Sequence, residues 1–208
     1  MRLFGISRPT VREALRVLES ESLIWVQRGG HGGARVRAPD PGVVAGYAGA
    51  LLQYNATTID DVFDARIAVE VAAVRMVALR RPARRLRAVE DSLDAEAAAN
   101  DPSHFRPCAT ATHTAIVRAA GNQTMNLFFD LTVEIYDRHA RVGYEKQTPD
   151  AEREKDFRAS HALHRKVFEH MRDGRADEAE TLWRRHLGRN RSAMLTGRPE
   201  RVLDLFRD

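Results

Sequence analysis

Histidine and arginine are the residues in this chain whose types and spacing could do chemistry. There are eight histidines: His31, His104, His113, His139, His161, His164, His170 and His186. His164 lies nine residues before Asp173, and His186 lies twelve after Gly174. If Asp173-Gly174 is the turn of an antiparallel helical hairpin, a rise of about 1.5 Å per residue puts both imidazoles at nearly one height. Two imidazoles at one level are half of a metal site. The bland alternative is two helix-surface histidines whose heights coincide. Arg66 and Glu70 stand four apart on a largely apolar segment. They read either as a semi-buried ion pair or as a pocket arginine offering its planar fork to a ligand carboxylate.

Arg8, Arg12 and Arg16 also step by four, and a helix carrying them on one face could lie in the major groove of DNA. A solvated arginine face is the competing reading for such a helix taken alone. Residues 1–40 hold seven arginines against four acids, so +3 of the formal +4 net charge falls in this short segment. That suits phosphates, although arginine is abundant throughout.

The elements that must position these groups differ between the two parts of the chain. Ser7 can cap a helix and Pro9 fits its first turn. Val11, Ala14, Leu15 and Leu18 predict a buried stripe on that helix. Leu23-Ile24-Trp25-Val26 and Ala34-Arg35-Val36-Arg37 read as strands on either side of Gly29-Gly30-His31-Gly32-Gly33. Helix and hairpin together are the groove-reading helix and wing of a winged helix-turn-helix. The hairpin tip, with Arg28 and His31, would lie against the minor groove or the phosphates. The prolines and glycine of 38–42 break the pattern. We place a partial winged helix-turn-helix in residues 1–38, a linker in 39–43 and an all-helical domain in 44–208. Helices are expected at 43–54, 59–80, 83–99, 102–120, 124–142, 152–172 and 176–195, which makes an antiparallel bundle. The predicted fold class is mainly α.

The bulk properties are those of a globular protein, with 43% hydrophobic and 30% charged residues in 208. Cys108 is the single cysteine, so no internal disulfide can form, and a reducing cytoplasm is the expected compartment. No apolar run reaches membrane-spanning length, and the start lacks the apolar core of a signal peptide. No membrane partner is expected.

The run SRPTVREALRVLESESLI followed by QRGGHGGARV resembles the DNA-binding domain of GntR-type bacterial transcription regulators. The resemblance implies DNA contacts from Arg8, Thr10 and Arg12 on the helix and from His31 and its glycines on the wing. Thr10 would not be chosen from spacing alone. Family members carry a further helix, a strand and most of another helix ahead of this point. The expectation is therefore either a longer natural chain or a form that binds DNA weakly. The segments Asp64–Ala73, His113–Asn122 and His164 through His186 resemble the all-helical FCD ligand-binding domain of the FadR branch of that family. Many members hold a divalent metal through one aspartate and three histidines, with a small carboxylate ligand capping it. By position the histidines are His113, His164 and His186. The aspartate's position is Ala109, and the phenylalanine usually before the first histidine is Thr112. Three imidazoles still suit zinc or nickel, in a weakened and more cationic site that favours an anionic effector. Alternatively the histidines line a polar pocket without metal. Trp183 reads as bundle core or dimer surface.

The resemblance implies a non-enzymatic regulator. It would be a homodimer that binds operator DNA and senses a small organic acid, with Arg66 a candidate partner for that acid. Two rival readings are a helical metallohydrolase and a ligand-binding or dimerising module whose truncated head no longer reads DNA.

Overall fold

The computed structural model describes residues 5–27, 29, 32–38, 41–142 and 148–195. Arg28 and His31 lie outside the described residues. The chain parts into two compact units between Tyr47 and Ala48.

In the first unit, α1 (Arg8–Ser20) begins where the Ser7 hydroxyl accepts the Thr10 backbone N–H at 3.3 Å, with Pro9 in the first turn. β1 (Ile24–Gln27) and β2 (Gly33–Val36) pair antiparallel in the register Ile24↔Val36 to Gln27↔Gly33. Gly29 takes φ +122°, which L-residues avoid, and its carbonyl accepts the Gly32 N–H at 2.9 Å. α1 packs on β1, and the Glu19 carboxylate accepts the Val26 N–H at 3.0 Å. The expected buried stripe is corrected here. No residue of α1 is buried: Val11 and Leu15 are half-covered, and Leu18 is 39% exposed. A two-stranded hairpin is too narrow to cover a helix face, and only the residues nearest β1 are sheltered.

The helix α2 (Pro41–Tyr54) spans the division between the units. The second unit continues with α3 (Ile59–Arg80), α4 (Ala83–Ala98), α5 (Pro102–Ala119), α6 (Gln123–Val142), α7 (Asp150–Asp173) and α8 (Ala176–Leu195). Local chemistry sets several of these limits. Thr58 and Asp61 exchange hydrogen bonds in a capping box that starts α3. Asp101 caps α5 ahead of Pro102. Gly174 ends α7 in the left-handed region at φ +77°, and the Arg175 N–H reaches back to the His170 carbonyl at 2.9 Å.

α3 is the central rod, in contact with α5, α6, α7 and α8. Its exposed residues form one stripe through Asp61, Asp64, Ala68, Ala72 and Arg75, while the rest of its surface is covered, which suits a helix rich in Ala and Val. Val71, Val74 and Val77 of α3 meet Leu86, Val89 and Leu93 of α4 in one core. Ile116, Phe129, Val167, Met171, Trp183 and Leu187 complete it from the other helices. Among the described residues, no helix is long and apolar enough to cross a membrane.

A candidate metal centre in the helical bundle

Three of the helices around α3 each bring one imidazole to the same point. His113 comes from α5, His164 from α7 and His186 from α8, exposed by 3%, 0% and 3%. Their ligand-capable atoms lie within 4.8 Å of one another. The His164 and His186 Nε2 atoms stand 3.0 Å apart, and those of His186 and His113 stand 3.3 Å apart. The helical hairpin thus places His164 opposite His186, as the matched heights predicted. It also supplies the rotation that spacing left open.

The outer nitrogens decide what these Nε2 atoms can do. His113 Nδ1 lies 2.7 Å from Glu70 Oε2, and His164 Nδ1 lies 3.0 Å from Glu96 Oε1. Both carboxylates are fully buried. Burial alone would raise Glu70, but His113 and Arg66 beside it hold it down to about 2. Glu96 is lowered against the same desolvation by its hydrogen bonds to His164 and His161. An ionised carboxylate only accepts, so each Nδ1 donates its N–H to it. A neutral ring with its proton on Nδ1 presents a lone pair at Nε2. Burial pushes His113 below the ordinary imidazole value, and burial beside two other imidazoles pushes His186 well below it.

Lone pairs therefore converge in a buried place. One proton on His186 Nε2 could bridge to a single neighbour, leaving the other contact repulsive. Asn190 Nδ2, 3.1 Å away, already offers that nitrogen a donor. A divalent cation satisfies all three at once. Neighbouring nitrogen ligands about 2.0–2.1 Å from a metal stand about 3.0–3.4 Å apart, which the two separations match. The donor set fits zinc or nickel. The carboxylates behind His113 and His164 are the supports that fix ligating imidazoles and raise their basicity.

Sequence reasoning reached all three histidines and the Arg66–Glu70 pair. Arg66 is 4% exposed; its Nε donates to Glu70 Oε1 at 2.5 Å and its guanidinium lies 4.4 Å from the Tyr136 ring centroid. It is engaged as the buried ion pair and is not among the cavity-lining residues given below. Three residues were missed. Glu96 supports His164 and also takes the Thr112 hydroxyl at 3.2 Å and His161 Nδ1 at 3.2 Å. Trp183 is core as expected, but its Nε1–H also donates to Glu70 at 3.1 Å. Asn190 completes the set. One signal for Glu96 was present: it continues the apolar stripe Leu86, Val89, Leu93, where a carboxylate must find buried partners.

Ala109, one turn before His113, carries no ligand atom. It lines a cavity of about 610 Å³ together with His186, Tyr136, Phe105, Phe157 and Leu163. The cavity thus adjoins the imidazole cluster on the side of Ala109. In the first unit, Arg8, Thr10 and Arg12 are exposed on α1. The Thr10 hydroxyl lies 2.8 Å from that of Ser7, so it takes part in the helix cap. Arg16 is exposed too but pairs with Glu13 at 2.6 Å.

Residues 61–189 match the FCD domain. Among proteins of curated function none matches the chain. Two solved structures share its fold. A GntR-family transcriptional regulator from Pseudomonas syringae pv. tomato is 23% identical with a TM-score of 0.52, over 94% of this chain and 73% of its own. A GntR protein of Streptococcus agalactiae is 18% identical with a TM-score of 0.58, over 91% of this chain and 84% of its own. The chain belongs to the FCD-domain family and has the fold of solved GntR-family transcriptional regulators.

Proposed function

We propose that the protein is a ligand-responsive transcription regulator in which a small organic acid, bound beside a divalent metal in the bundle, alters operator binding by α1 and its hairpin. The observation that carries this reading is the convergence of three buried Nε2 lone pairs next to a cavity. His113, His164 and His186 hold the metal, zinc or nickel. When bound, it supplies a cationic Lewis-acid centre that a carboxylate can approach. Glu70 and Glu96 hold two of the rings in the correct tautomer, and Arg66 balances Glu70. Asn190 and Trp183 keep the surrounding polar atoms paired.

The missing carboxylate at Ala109 leaves the site more cationic, which favours an anionic partner. Glu70 and Glu96 are both turned to outer nitrogens, which leaves neither available as the general base a hydrolase would need. In the first unit, Arg8, Thr10 and Arg12 are the candidate DNA contacts on α1, with Arg28 and His31 on the hairpin tip. A homodimer would present two such heads to a palindromic operator. Acid binding biases one bundle arrangement over another and so shifts the spacing of the heads.

Elemental analysis after dialysis against zinc or nickel tests the metal. About one ion per chain is expected for the natural sequence and none for the double variant His164→Ala, His186→Ala. Equal metal in both would reject these ligands.

A further inference from the structure

We propose that the cavity beside the imidazole cluster selects an elongated dicarboxylic acid, with Arg153 reading the far carboxylate. The inference rests on the acid-sensing role proposed for that cluster and names the class of acid. Four helices line the cavity, α6 through Tyr136, and the registers of the other three agree on its direction. On α5 the lining runs from Pro102 to Ala109, which is one turn short of His113. On α7 it runs from Arg153 to Leu163, next to His164. On α8 it runs from Arg185 and His186 to Ala193. Ala109, Leu163 and His186 therefore mark one end, while Pro102, Arg153 and Ala193 mark the other. At 1.5 Å per residue the trough is about 10–15 Å long.

Its two ends carry different handles for the same chemistry. The near end is the nitrogen cluster. The far end is Arg153, whose side chain is only 18% exposed. The Arg153 guanidinium is anchored on Asp150 through Nη2, while its Nε–H is buried with no hydrogen-bond partner among the described residues. A buried cationic donor without an acceptor is costly, and a ligand oxygen at the end of the trough would satisfy it. Between the ends an apolar strip runs along α5 and α7. Phe105 and Phe157 stack with centroids 4.4 Å apart, and Leu163 and Ala109 continue the surface towards the histidines.

The charge on the lining also favours a dianion. Arg106, Arg153, Arg185 and Arg189 stand against one acid, the exposed Asp156, and Arg106 is itself paired with Asp137 at 2.8 Å. A short diacid cannot touch both ends of the trough. With carbon–carbon bonds of about 1.5 Å, a chain of about eight carbons is needed once the reach of Arg153 and the imidazoles is allowed for. A monoacid of that length fills the trough but leaves the Arg153 Nε–H bare.

Calorimetric titration of octanedioate, octanoate and butanedioate into the full chain, with and without zinc, tests this. Octanedioate should bind about tenfold more tightly than either of the others. In Arg153→Gln the advantage over octanoate should vanish while octanoate affinity is kept, which also shows that the variant is folded. Acids that bind with octanedioate and octanoate equal, or with the advantage intact in Arg153→Gln, would overturn the dicarboxylate inference and leave the acid-sensing role standing. No binding of any of the three acids in either condition would overturn both.

Discussion

Two of the three clustered imidazoles each have a buried carboxylate on the outer nitrogen, and the two carboxylates are balanced differently. Glu70 shares its charge between His113, the Arg66 guanidinium and the Trp183 N–H. Glu96 has no arginine and rests on His164, His161 and the Thr112 hydroxyl. Its negative charge is therefore the less compensated of the two, and a cation beyond His164 would offset it most directly. Glu96→Gln keeps the shape and an acceptor oxygen but removes the charge. Metal affinity should fall about 10–100-fold, measured by competition with a chromophoric chelator. An unchanged affinity would show that Glu96 serves only packing.

At the scale of elements, α1 stands apart because it buries nothing. Its arginine-bearing face is available to a partner rather than used in the fold. Arg12 and Arg16 separate two roles. Arg16 is held by Glu13, an exposed pair worth little to stability. Arg12 stands one turn nearer the helix start, where side chains reach base edges. Against an operator selected from random duplexes, Arg12→Ala should weaken binding about 10–100-fold and relax base preference at one position. A mobility-shift titration in which the variant matches the natural sequence would reject α1 as the reading helix. The start of α3 and the end of α7 were legible because the Thr58 box and the Gly174 turn are written in neighbouring residues. The burial of the α1 stripe was not legible, since periodicity identifies an apolar face but not what covers it.

At the scale of the whole molecule, a ligand held by α5, α7 and α8 adds a further tie between helices that already pack on α3, with α7 also packed on α5 and α8. Binding to the folded state alone must stabilise it, by about 2.7 kcal/mol when free metal is 100 times its Kd. For a chain of this size that raises Tm by roughly 5–10 °C. Thermal unfolding with zinc and then with excess chelator should show the rise and its reversal. The double variant His164→Ala, His186→Ala should show neither, and the same shift in that variant would mean that the metal binds elsewhere. By linkage, whatever factor an acid applies to operator affinity, the operator applies to acid affinity.

Taken alone, the sequence determined the helical architecture and the shared height of His164 and His186, and its family resemblance pointed to the carboxylate missing at Ala109. Caps, turns and helical rise are local, and a hairpin of known length fixes height. Only the tertiary structure decided that the rings face inward, that Glu96 on another helix backs His164, and that Arg66 is spent on Glu70. Those outcomes depend on the rotation of each helix about its axis. That rotation is set jointly by α3 and all the helices packed on it, so no single segment encodes it.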